Sequence, residues 1–148
     1  MKVYIGCDHA AFAEKEAVKQ FLLDLGHEVE DCGTLVNERV DYPDYASAVA
    51  KSILSTPDAK GILLCGSGIG VSMVANSYAG IRAALCRTVE EAKLSRGHND
   101  ANVLCAGARL VELETIKEMI TAWLETPFEG GRHLDRVNKF VTLGEKLA

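Results

Sequence analysis

Five short apolar runs, separated by segments with the spacing of amphipathic helices, leave this chain few folds to adopt. The runs are Val3–Cys7, His27–Cys32, Gly61–Cys65, Ile81–Cys86 and Ala101–Ala106. Runs that short, bounded by glycine or polar residues, read as strands. Helical spacing covers Phe12–Leu25, Tyr45–Leu54, Val71–Tyr78, the stretch from Thr88 towards Arg96, and Leu113–Leu124. The punctuation agrees with this. Gly26 stops the first helix, Pro43 suits the start of the second, and Thr88 with Glu91 forms a capping box for the fourth. His27–Cys32 alternates with polar residues, which places it nearer a sheet edge. Strands alternating with helices form an α/β layer fold with a mostly parallel sheet. Right-handed crossovers and the 148-residue length favour a three-layer, doubly wound, Rossmann- or flavodoxin-like arrangement of five strands. Residues 1–148 then form one domain, with 127–148 as a C-terminal helical tail.

Within that frame the stretch Gly61-Ile62-Leu63-Leu64-Cys65-Gly66-Ser67-Gly68-Ile69-Gly70-Val71 carries the most chemistry. A buried strand ends at a cysteine, and three glycines at alternate positions lead into a helix. Glycines let backbone N–H groups approach a ligand, and the helix start behind them favours negative charge. The same field favours a thiolate on an adjacent cysteine. Two readings stay open for this stretch alone: an anion hole beside a reactive thiol, or a Gly-rich turn holding a packing cysteine. In doubly wound sheets ligands bind outside the carboxyl ends of the strands. Asp8 and His9 after the first strand, Cys65 to Gly70 after the third, and Arg109 after the fifth all fall there. His98 and Asn99 lie at a helix-to-strand junction. They reach the same site only if their loop folds over it or comes from a second subunit.

Charge and composition close off other classes. A net charge of −5 argues against general nucleic-acid binding. No apolar run approaches the ~20 residues of a membrane span, and the apolar start of the chain is too short for a signal-peptide core. The cysteines Cys7, Cys32, Cys65, Cys86 and Cys105 are odd in number and contain no CxxC pair. That speaks against a disulfide framework or a zinc knuckle and fits a reducing cytoplasm. Cys7, Cys32, Cys86 and Cys105 read as packing residues, and His27 and His133 as structural or surface groups. The tail carries an apolar face, Val137, Phe140, Val141, Leu143 and Leu147, on a final helix spanning Leu134 to Leu147. Either it folds back on its own core or it docks on a partner subunit. Arg132 and Arg136, four apart, share a face if helix has begun there, and paired arginines suit phosphate as well as solvent.

Six stretches together resemble the ribose-5-phosphate isomerase B family, which includes the galactose-6-phosphate isomerase subunits. They are Gly6-Cys7-Asp8-His9-Ala10, Asp41-Tyr42-Pro43, Cys65 to Gly70, Ala79-Gly80-Ile81-Arg82-Ala83, Ser95 to Leu104, and Glu129-Gly130-Gly131-Arg132-His133 followed by Arg136. The resemblance spans essentially the whole chain. It implies interconversion of an aldose phosphate and its ketose phosphate, chiefly ribose 5-phosphate and ribulose 5-phosphate. It implies no metal or other cofactor, and a homodimer or tetramer whose active site is shared between subunits. By position, Cys65 is the base that moves a proton between C2 and C1, and His98 the acid/base that opens the furanose ring. Gly66, Ser67, Gly68, Ile69 and Gly70 bind the sugar oxygens and the enediolate. Asp8, His9, Asn99, Arg109, Arg132 and Arg136 contact substrate, the arginines and His9 mainly at the phosphate. Tyr42 lines the sugar pocket. Family members with a glutamate base carry it just after the Gly-rich loop; Val71-Ser72 stand there in this chain, which places it with the cysteine type. Ser67 stands where threonine is frequent and keeps the hydroxyl.

The chemistry of these residues agrees with that role. A thiol tuned towards neutrality can serve a weakly acidic C–H. N–H donors preorganised where enediolate charge grows contribute ~100-fold or more each. A histidine, with its unperturbed pKa of about 6.5, exchanges protons near neutrality. A six-carbon aldose 6-phosphate such as allose or galactose 6-phosphate is the alternative substrate. A non-catalytic phosphometabolite-binding module is the alternative class, and a thiol redox role is a minor one.

Overall fold

The computed structural model describes residues 1–143. Its strands are β1 (Lys2–Cys7), β2 (Glu28–Asp31), β3 (Lys60–Cys65), β4 (Ala83–Leu85) and β5 (Val103–Gly107). Its helices are α1 (Phe12–Asp24), α2 (Tyr42–Ser55), α3 (Ile69–Asn76), α4 (Val89–Gly97), α5 (Leu113–Glu125) and α6 (Arg132–Asn138). The strands form one sheet in the order β2-β1-β3-β5-β4, and every pairing is parallel.

Strand alternation builds two cores, one on each face. Val3, Ile5, Ile62, Leu64 and Leu104 face α1 and α5, where they pack with Val18, Leu22, Ile116, Ile120 and the fully buried Trp123. Tyr4, Leu63, Cys65, Val103 and Cys105 face α2 and α3, against Val49, Ile53, Val71 and Ala75. β2 is an edge strand, as its polar alternation predicts. At the other edge sits β4, not β5, so the order departs from the flavodoxin series 2-1-3-4-5. The reason is burial. β5 is buried along its whole length, whereas the three residues of β4 are part-exposed.

Several boundaries differ from the periodicity reading. α2 starts at Tyr42 because Pro43 is accommodated in the first helical turn. α3 starts at Ile69, two residues early, directly off Gly68. Thr88 caps α4, its Oγ1 accepting the Glu91 N–H at 3.1 Å, but the Glu91 carboxylate returns to the Arg87 N–H at 2.8 Å, one residue ahead of the cap. The tail helix begins at Arg132, earlier than expected, and gives way to a 3-10 turn over Lys139–Thr142. Residues 144–148, and with them Leu147, lie outside the described residues.

Lys15, on α1, is fully buried although it is charged. Its Nζ donates to Asp31 Oδ1 at 2.8 Å, to Asp31 Oδ2 at 2.6 Å and to the Thr34 carbonyl. Burial alone would raise the Asp31 carboxyl. Hydrogen bonds from Lys15, the Gly33 N–H and Lys19 outweigh it and hold the group below its usual range. The pair ties α1 to the segment after β2, beside the Cys7 end of β1, where the Cys7 N–H donates to the Gly33 carbonyl at 2.7 Å.

Candidate active site

The register of the sheet assembles the first half of the site. Cys7 pairs with Leu64, and Cys65 with Gly107. Asp8, Cys65 and the residues after Gly107 therefore emerge side by side at the carboxyl edge, at the switch point where the chain runs from β1 to β2 on one side and β3 on the other. Asp8 is buried and accepts the Ala10 N–H at 3.0 Å, capping a 3-10 turn over His9–Ala11. His9 Nδ1 lies 3.2 Å from the Val40 N–H. The Val40 carbonyl oxygen lies at the same 3.2 Å from Nδ1, so Val40 holds the ring by its Nδ1 edge.

Cys65 is buried at the end of β3, and its Sγ accepts the Gly68 N–H at 3.1 Å. Gly68 sits at φ 79°, and a side chain there would place its Cβ 2.7 Å from Leu85 Cδ1 and 2.8 Å from the Ala106 carbonyl carbon. Gly107 is equally constrained, since a Cβ on it would meet the Ser67 backbone at 2.5 Å. Ser67 Oγ accepts the Ile69 N–H at 3.2 Å at the start of α3. The Gly70 and Val71 amides, next along, belong to the helix's first turn and have no intrahelical acceptor. Arg109 lies along Gly66, its N–H donating to the Gly66 carbonyl at 3.0 Å and its side chain against the glycine Cα. The Tyr42 ring covers Gly70. Asp8, His9, Tyr42, Cys65 to Gly70 and Arg109 thus form one cluster.

The other four expected residues gather elsewhere. His98, Asn99, His133 and Arg136 line a cavity of about 200 Å³ with Val137 and Phe140. Arg132 opens α6, one turn before Arg136. His98 caps α4 in the loop that leads into β5, with residues 99–102 between it and Val103, whereas Cys65 pairs with the last residue of β5. Four strand residues, about 13 Å at ~3.3 Å per residue, separate the two levels. Within one chain the clusters lie at opposite ends of the strands.

The second cluster is firmly built. Arg82 Nε donates to the Asn99 and Asp100 carbonyls at 3.2 and 3.0 Å. Arg96 Nη1 donates to Asp100 Oδ1 and to the Ala101 carbonyl, both at 2.8 Å. Asn102 accepts the Arg82 N–H at 2.8 Å and donates to the Gly80 carbonyl at 2.9 Å. These bonds hold the loop carrying His98 and Asn99 rigid. The sequence offers Arg82, Arg96, Asp100 and Asn102 only as members of two recurring stretches; their clamping role appears in three dimensions alone.

His133, read as a structural or surface group, is the former: it is buried and stacks on His98, ring centroids 4.4 Å apart at 13°. Burial, the adjacent His98 and the Arg132 charge hold its pKa below the ordinary histidine value. Glu129 bridges the two rings, with Oε2 at 3.3 Å from His98 Nε2 and Oε1 at 3.9 Å from His133 Nε2. These three are the one group of metal-type donors among the described residues, all within 4.8 Å. Parallel rings set their lone pairs side by side rather than convergent, and Arg132 and Arg136 add positive charge beside them. The set suits shared protons better than a cation.

Residues 3–140 match the family model described as Ribose/Galactose Isomerase. The chain belongs to this family. Ribose-5-phosphate isomerase B of Escherichia coli K12 is 46% identical over 145 residues, 98% of this chain and 97% of the relative. The structure of ribose-5-phosphate isomerase B from Clostridium thermocellum superposes with a TM-score of 0.96 at 44% identity, covering all of both chains. That from Thermotoga maritima gives 0.93 at 51% identity, covering 96% and 98%. The ribose/galactose isomerase fold is thus present in full, an all-parallel five-stranded sheet between helical layers. Among the described residues no helix is long and apolar enough to cross a membrane.

Proposed function

We propose that this chain interconverts ribose 5-phosphate and ribulose 5-phosphate through an enediolate, with Cys65 as the base. The observation that carries the reading is the Cys65 sulfur at the end of β3, accepting the Gly68 N–H at the mouth of the glycine-rich loop. Relatives that match nearly end to end and bear the name ribose-5-phosphate isomerase B support the sugar.

The step balances on the chain's own groups. The Cys65 thiolate takes the C2 proton of the open aldose. Electrons flow into C1–C2, and negative charge grows on O1, where N–H donors at the start of α3 stabilise it. The proton returns at C1, a second proton passes from O2 to O1, and the ketose results. The phosphate lies remote from C1 and C2, and its binding energy orients them against the sulfur. Arg109, Arg132, Arg136 and His9 supply donors for it. Asp8, Asn99 and Tyr42 hold the sugar, and His98 opens the ring. Five free cysteines fit a reducing, cytoplasmic setting.

Both clusters act in one site only across two copies. In this reading His98, Asn99, Arg132 and Arg136 of one subunit face Cys65, Asp8 and His9 of the other, in a two-fold dimer or a tetramer built from it. The separation of the clusters along β5 supports this, as do the exposed apolar side chains Leu134, Phe140, Val141 and Leu143.

Turnover of ribose 5-phosphate by metal-free wild type and Cys65→Ala, with allose 6-phosphate and galactose 6-phosphate in parallel, tests the chemistry. Loss of turnover with retained binding is expected for the variant. A preference for a six-carbon sugar would move the substrate, and phosphate-dependent binding without turnover would favour a binding module. Mixing unfolded Cys65→Ala and His98→Asn chains and refolding them together tests the sharing. Heterodimers hold one intact site, so about a quarter of wild-type activity returns for an isologous dimer. No return would place the site within one chain.

A further inference from the structure

We propose that Glu129 is a positioning residue for His98: its carboxylate accepts the Nε2 proton and fixes the imidazole tautomer, so that Nδ1 is the nitrogen that exchanges protons with the sugar ring. The proposal rests on the isomerase reading and deepens it.

Two independent observations carry it. The first is the charge contact itself, Glu129 Oε2 at 3.3 Å from His98 Nε2, with His133 stacked on the His98 ring. Among the described residues neither Arg132 nor Arg136 pairs with this carboxylate, although both lie within a few residues. The second is the clearance made for it. The Glu129 N–H donates to the Gly97 carbonyl at 3.0 Å, and a Cβ on Gly97 would lie 2.7 Å from Glu129 Oε2. Gly97 ends α4 in an ordinary helical position, and the carboxylate packs against its open face, next to His98. His133, neutral through burial, gives His98 a flat wall and no competing positive charge.

A carboxylate on one ring nitrogen selects the tautomer with its proton there and leaves the other nitrogen as acceptor. In ring opening, Nδ1 takes the proton of the C1 hydroxyl as C1=O forms and the C1–O4 bond breaks. It then returns that proton to O4. The Glu129 carboxylate stabilises the imidazolium between the two transfers and is not itself protonated. In Glu129→Gln the amide can donate to Nε2 and select the opposite tautomer.

The test separates ring chemistry from enediolate chemistry. Ribose 5-phosphate must be opened. Ribulose 5-phosphate, its 5-oxygen phosphorylated, has no furanose to open, and solvent-deuterium exchange at its C1 reports the Cys65 step alone. Glu129→Gln is expected to lower kcat on ribose 5-phosphate ~100-fold while C1 exchange stays within about threefold, with Glu129→Asp restoring part of the loss. Parallel loss of both activities, in the Gln and Asp variants alike, would assign Glu129 a merely structural role and overturn the proposal. So would no loss of either. If wild type shows neither turnover nor exchange, the isomerase reading falls first and this inference falls with it.

Discussion

Five cysteines are spread along this chain, yet only one of them has surroundings that suit reaction. Burial pushes the Cys7 thiol up to about 12 and the Cys86 thiol up to about 11. It raises the Cys105 and Cys32 thiols as well. Those four stay protonated and poorly nucleophilic near neutrality. Native protein treated with iodoacetamide is therefore expected to carry its first label on Cys65, read by peptide mass spectrometry, and substrate is expected to slow it. First labelling of another cysteine would remove Cys65 from its proposed role. Lys15 shows the opposite kind of charge, one that is structural. Lys15→Met leaves Asp31 with Lys19 and the Gly33 N–H as partners and is expected to cost about 1–3 kcal/mol in urea unfolding, the range for losing hydrogen bonds to a charged group. Its partner acts on acid stability. With Asp31 below its ordinary 3.8 in the folded state, the stabilisation is complete above that value and is lost as pH falls below it. The candidate cysteine was legible because glycines follow it. Lys15 was not, because a pattern of polar residues does not say which one finds a carboxylate inside.

At the scale of elements, the β3–loop–α3 unit concentrates the constraint. Gly68→Ala demands φ 79° of a residue with a Cβ and drives that atom into Leu85 and the Ala106 backbone. Such overpacking costs about 1–3 kcal/mol, and the Gly68 N–H would leave the sulfur. Isomerase activity in the variant is expected to fall much further than the folded fraction measured by circular dichroism at the same temperature; equal losses would mean that the amide does not serve the thiolate. Strand and helix identities were readable throughout, because period 2 and period 3.6 survive in the apolar residues that form the two cores. Boundaries slipped where local chemistry outran periodicity. Pro43 and Gly68 start helices earlier than their first core residue, and the last helix stops at Asn138, before the apolar residues that suggested its continuation.

For the whole molecule, docking of the tail is pH-dependent. His133 is surrounded by His98, Arg132 and Arg136, which disfavour its proton, and by Glu129, which favours it; burial is the largest influence and lowers its pKa. Above the ordinary value of 6.5 the ring is neutral both docked and free, and docking is complete. As pH falls below 6.5 the undocked tail takes the proton more readily, and docking weakens. Amide hydrogen exchange at Glu129 and His133, referred to amides of α5, is expected to show more frequent opening at pH ~5.5 than at ~7.5. Unchanged protection would mean that His133 is protonated in place. The sequence by itself determined the layer order, the carboxyl-edge loop, the cysteine and the family, since all of these are written in local spacing. The tertiary structure decided which strand lies at the edge, that His133 is interior, that Glu129 and Gly97 fit together, and that His98 and Cys65 stand at opposite ends of β5. Those facts depend on contacts between residues distant in sequence, and no local period encodes them.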